Sequence, residues 1–261
     1  MIRTPWQVTR SAWYAMFMRE AVARTMADRM AWFWMLAEPI AMVLIMIAVR
    51  TIAMGKGKIV PGAEFVPWLV VGLFGFTLFR ENMMRALGAV SANNSLFAYR
   101  QIKPVDTVLV RCYLEGMLKS FIFLVFIFGG ILLEIDMLPA DPLMALFAWF
   151  SLWMLGAGLG LTFSVLSSLI AEVERVVKIT TTPLLLISGV IFPLNFIPQN
   201  LLPYVLVNPI VHGIEVLRSA FFPAYRLLPG VDLLYLWFWA LAFITTGLLL
   251  HIRFEARVKV K

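Results

Sequence analysis

Asn94-Ser95-Leu96-Phe97-Ala98-Tyr99-Arg100-Gln101-Ile102-Lys103-Pro104-Val105-Asp106 is the longest run with real polar content in the first half of the chain. Long apolar segments flank it on both sides. Lys and Arg bias the loops between membrane spans to the cytoplasmic face, so this basic, aromatic-rich loop is expected there. At that face it is open to a push from a soluble partner.

The flanks decide the fold. Of the 261 residues 62% are hydrophobic and 14% charged, and the mean hydropathy is +0.89. A soluble domain carries about 25% charged residues. Continuous apolar stretches of about 20 residues indicate an all-α polytopic membrane protein. They do not alternate, which excludes the pattern of a β-barrel. The net charge of +7 is spread over the loops, where it suits anionic headgroups. No segment forms the basic soluble face that nucleic-acid binding needs. Cys112 is the only cysteine, so no intrachain disulfide is possible.

Immediately upstream of the loop a span is expected over 65–89, with Arg80, Glu81 and Arg85 in its last turns. Immediately downstream another is expected over 110–133. There Arg111, Glu115 and Lys119 are spaced by four and share one face of a helix. They read either as a charge ladder seating helix on helix or as part of a polar lining. Further upstream a first span covers 31–54, with Trp32, Phe33 and Trp34 at its entry and Glu38-Pro39 just inside. A carboxylate at Glu38 must face protein, water or the interface. Gly55-Lys56-Gly57-Lys58 then forms a short outside loop that lacks the pattern of a phosphate loop.

Residues 1–9 read as a loose arm and 10–30 as a helix lying in the membrane interface. Glu20–Arg24 and Arg24–Asp28 are oppositely charged pairs four apart on it. The first thirty residues hold five arginines and no clean apolar core, so no cleavable signal peptide is expected.

In the second half, spans are expected over 143–169, 178–192 and 232–251. The first of these contains Gly156-Ala157-Gly158-Leu159-Gly160, whose GxxxG spacing suits close packing within the chain or against a second copy. Between the last two spans, 193–230 is apolar but broken by proline. No piece of it reaches the length of a span, so two short re-entrant helices are expected. His212, Glu215 and Arg218 sit three apart there and read as a satisfied structural cluster or as residues at the exit of a route. The result is six spans with both ends cytoplasmic. Fifteen Lys and Arg then fall on inside segments and four on outside ones.

With the loops placed, the chain resembles the ABC-2 type permeases, and most closely the capsular polysaccharide export permeases of Gram-negative bacteria. Three motifs carry the resemblance. They are Phe17-Met18-Arg19-Glu20 with Trp34 and Glu38-Pro39; Leu96 to Arg100 with Lys103 to Asp106; and Phe192-Pro193-Leu194 with Ile197-Pro198, Asn208 to His212 and Glu215 to Arg218. The family pattern often has proline after Tyr-Arg where this chain has Gln101, so the family's stiffer loop is not implied here.

The resemblance implies a half-transporter. Two copies would form the channel, with two copies of a separate ATPase beneath them. ATP and Mg would belong to that partner, and this chain would hold no cofactor, metal or catalytic residue. The loop at 94–106 would be the coupling helix, with Asn94, Phe97, Tyr99, Arg100, Lys103 and Asp106 as its contacts. The helix at 10–30 would lie beside it as a gate. The cargo implied is a lipid-linked acidic polysaccharide. Further partners would be a periplasmic copolymerase-type protein and an outer-membrane exporter. Guanidinium groups suit such a cargo because they present a fixed fork of donors to carboxylate or phosphate. Arg19, Glu20, Arg24, Trp32, Trp34, Glu38, Arg85 and Arg111 are the candidates for its route. The alternatives are an ABC-2 permease for O-antigen, teichoic acid or a drug, and a membrane glycosyltransferase. The last would need clustered Asp or His, whereas His212 and His251 lie far apart and the aspartates fall in separate segments.

Overall fold

The computed structural model describes residues 4–26, 30–54, 60–99 and 101–259. Every regular element among them is helical. Helix α1 spans Pro5–Thr25. The arm expected over 1–9 is therefore helical from Pro5. Thr4 and Gln7 exchange two hydrogen bonds, of 3.4 and 3.0 Å, that satisfy the first orphan N–H groups, and Pro5 sits where its missing N–H costs nothing. The end expected near residue 30 falls at Thr25. The expected loop Gly55 to Lys58, Asp28 and Arg100 lie outside the described residues.

Helix α2 (Ala31–Met54) keeps Pro39 inside it and is exposed along most of its length. Helix α3 (Phe65–Leu87) is the opposite case, with Trp68, Leu69, Phe76, Leu78 and Phe79 fully buried. A 3-10 segment, Ser91–Ala98, follows and kinks at Asn93. Helix α4 spans Pro104–Leu132, six residues longer at its start than the expected span. Asp106 explains the early start, because its carboxylate accepts the Lys103 backbone N–H at 2.9 Å while Pro104 opens the first turn.

Helix α5 (Pro142–Leu169) starts at Asp141, which accepts from the Met144 N–H at 3.0 Å. Helix α6 (Glu172–Ile187) begins and ends earlier than the 178–192 expected. The 193–230 region holds one turn of helix, α7 (Leu202–Val205), and a buried helix, α8 (Pro209–Phe221), capped by Asn208. Helix α9 runs through Leu233–Lys259, well past the expected end at 251.

Among the described residues α2, α4, α5 and α9 are long and apolar enough to cross a membrane. Helix α3 is long enough, but Arg80, Glu81 and Asn82 dilute its hydropathy. The 16 residues of α6 make about 24 Å, short of a hydrocarbon core of about 30 Å.

Helix α5 is the centre of the packing, with α3 on one side and α9 on the other. Gly156 lies against the Phe79 carbonyl and Gly160 against Ala86, so the GxxxG serves a contact inside the chain. Gly158, on the opposite side, meets the Ala240 carbonyl of α9, and Thr162 donates to the Phe243 carbonyl at 2.9 Å.

Candidate functional site

The site is built around the 91–106 loop and the helix laid across it. Phe97, one of the expected coupling contacts, is buried with Val108, Cys112, Leu161, Val165 and Val258. It fastens the loop to the fold and is not a surface contact. Asn94, Tyr99 and Lys103 stay exposed, with Tyr99 at 65%. Asp106 is half-buried. One of its carboxylate oxygens caps α4 and the other accepts the Trp13 indole N–H at 3.1 Å.

Phe97→Ala is expected to cost about 3 kcal/mol, the usual loss for a core phenylalanine. Limited proteolysis checks this by faster cleavage within 91–103.

Helix α1 crosses α4 through two ion pairs. Glu20 and Arg111 approach to 2.5 Å, and Arg24 and Glu115 to 3.3 Å. The 10–30 helix was expected to pair Glu20 with Arg24, but both reach across to α4. Arg85 of α3 lies 3.9 Å from both Glu115 and Glu81, and Glu81 also pairs with Arg80 at 2.6 Å. Glu115 is almost wholly buried. Its charge is tolerable at that depth because guanidinium groups approach it from two helices.

Five of the eight expected route residues line one cleft of about 350 Å³ between α1, α2 and α3. They are Glu20, Arg24, Trp34, Glu38 and Arg85. Arg111 stands beside it through Glu20 and through a 3.5 Å hydrogen bond to the Arg85 carbonyl. Lys119, last of the α4 stripe, faces a narrow extension with Glu38, Arg80 and Glu81. Two residues stand apart. Trp32 packs edge-on against Phe121 of α4, and Arg19 pairs with Glu20 and donates to Asn93. The cleft mixes two carboxylates with two guanidinium groups and an indole. Its guanidinium groups can donate to an anion and its carboxylates and indole can meet hydroxyl groups.

On the far side, the three-residue cluster expected at 212–218 splits in two. Arg218 is completely buried, stacked on the Trp68 ring at 3.5 Å. It donates to the carbonyls of Trp68, Gly189 and Val190 and to Glu215, whose carboxylate also accepts from Tyr225. Tyr225 gives no periodic signal that would join it to this group. His212 belongs to another contact. Its Nδ1 accepts the Asp232 N–H at 2.9 Å, so its Nε2 carries the proton and donates to the Leu206 carbonyl at 2.8 Å.

The family profile of the ABC-2 type transporter matches residues 11–222, from α1 to the end of α8. The polysialic acid transport protein KpsM of Escherichia coli is 32% identical over 255 residues, 96% of either chain. The capsule polysaccharide export inner-membrane protein CtrC of Neisseria meningitidis is 29% identical, over 80% of this chain and 78% of its own. BexB of Haemophilus influenzae, of the same description, is 28% identical over the same shares. This helical chain, matched by that profile over most of its length, belongs to the ABC-2 type transporter family and is a membrane transport subunit.

Proposed function

We propose that this chain is the permease of an ATP-driven exporter carrying lipid-linked acidic capsule polysaccharide across the bacterial inner membrane. The observation that carries this reading is the cleft, where guanidinium and carboxylate groups of α1, α2 and α3 meet beside an indole. Similarity over 96% of the chain to a protein named for polysialic acid transport, and over 80% to one named for capsule polysaccharide export, supports it. In this reading α2, α3, α4, α5 and α9 are five of the six spans, α6 continued by the segment up to Phe192 is the sixth, and α7 with α8 forms the re-entrant region on the periplasmic side. Both termini face the cytoplasm, as the excess of Lys and Arg on those segments favours.

Two copies work together above two ATPase subunits, which bind ATP and Mg. Gly156 and Gly160 are occupied inside the chain, so the second copy pairs through another face. Asn94, Tyr99, Arg100 and Lys103 meet the ATPase, and Phe97 and Asp106 hold that surface in place. A periplasmic copolymerase-type protein and an outer-membrane exporter continue the path.

The test is co-purification of this chain with the ATPase encoded beside it. A complex of two and two, whose ATP turnover rises with acidic polysaccharide, is the expected result. A chain that captures no ATPase overturns the proposal. Tyr99→Ala is expected to lower stimulated turnover about tenfold, the loss of one exposed aromatic anchor at an interface, while membrane insertion stays normal.

A further inference from the structure

Two hydrogen bonds join α1 to the loop, and both connect residues far apart in sequence. The Trp13 indole donates to Asp106 at 3.1 Å. Arg19 donates to Asn93, which is 2% exposed and sits at the kink of the 3-10 segment. The Asn93 amide donates in turn to the Ala89 carbonyl at 2.7 Å. Six residues separate Trp13 from Arg19, about 9 Å along the helix. Helix α1 therefore touches the 3-10 segment at its kink and, where the loop ends, the first turn of α4.

The next residues of the same helix enter the charged cleft. Glu20 follows Arg19 directly and pairs with Arg111, and Arg24 lies one turn on and pairs with Glu115. A helix fixed at two points moves as a rigid body, because its backbone hydrogen bonds resist bending. Displacing the 3-10 segment then pulls α1 at Arg19, and α1 turns about its Trp13–Asp106 contact with α4, carrying Glu20 and Arg24 relative to Arg111 and Glu115.

We propose that Trp13 and Asn93 are positioning residues that clasp α1 to the 91–106 loop, so that a push on the loop re-pairs the charges of the cleft. The inference rests on the reading of the loop as the ATPase contact. It adds the path by which that contact reaches the cargo route. Asp106 is the central atom group of this path, since it holds the start of α4 and α1 together.

The experiment uses the complete complex with its ATPase in nanodiscs. Hydrogen exchange across 17–25 is compared before and after trapping with ATP and vanadate. In the wild type, trapping is expected to change exchange there. In Trp13→Phe, which keeps an aromatic ring but loses the donor, that change is expected to fall about tenfold, the effect of one hydrogen bond to a charged acceptor. Adding Asn93→Ala should abolish it. Trp6→Phe, on the same helix and outside the clasp, should respond as the wild type does. Complex stoichiometry and melting temperature are measured for each variant, so a general loss of structure is visible separately. A trapped wild-type complex with no change across 17–25 overturns the clasp. So does an undiminished change in the double variant. Both leave the transport reading standing, whereas failure to form the complex removes that reading itself.

Discussion

Arg218→Ala is expected to destabilise the subunit by about 3–5 kcal/mol, the loss seen when one member of a buried ion pair is removed. The guanidinium is wholly buried. It gathers the carbonyls of Trp68, Gly189 and Val190, so two chain segments lose their common donor at once. Glu215 would keep only Tyr225 as a partner in the dry interior. Thermal unfolding of the purified subunit measures the effect. The double variant Arg218→Met with Glu215→Leu should recover part of it, because no charge is then left unpaired. Gly72→Ala offers an independent route to the same point. Its Cβ would clash with Arg218 Nη2 and push the guanidinium off its carbonyls. Melting of Gly72→Ala at the wild-type temperature would count against this packing.

Gly156→Leu carries the second large effect. A Cβ there would stand 2.6 Å from the Phe79 carbonyl oxygen and 3.3 Å from its Cα. Both belong to backbone, so no rotamer change makes room. Overpacking in a dense interior costs up to about 3 kcal/mol, and the neighbouring Gly160, already close to Ala86, prevents α3 from sliding aside. The measurement is the unfolding midpoint set beside the mass of the particle. Lower stability with the assembly size unchanged is the expected outcome. Dissociation into stable single subunits would place this motif between copies instead.

The membrane class, the resemblance and the polarity of the central loop were legible because they depend on composition and on motifs local in the sequence. The i,i+4 stripe of α4 was equally legible, since helical spacing alone puts Arg111, Glu115 and Lys119 on one face. Their partners were not. Glu20 and Arg24 lie on a helix about ninety residues upstream, and a charge written in sequence carries no address for its counterpart. The start of α1 was legible in principle. Thr4-Pro5-Trp6-Gln7 has the spacing of a capping box, which the loose-arm expectation passed over. Phe97 shows a different limit. An aromatic in a basic loop suits an anchor turned inward as well as a contact turned outward, and only the packed neighbours Val165 and Val258 decide between them.

The pairing of α5 with α9 has a consequence for how the protein is made. Gly158 awaits Ala240, Thr162 awaits the Phe243 carbonyl, and Ser164 awaits His251, at 3.0 Å. Those partners emerge from the ribosome some eighty residues later. Until then α5 stands in the insertion machinery with a stripe of glycine and hydroxyl groups uncovered, the kind of surface that other helices seize. Completion of this packing is thus decided by α9. A nascent chain cut short before α9 would be a substrate for membrane proteases, however well its first spans had inserted.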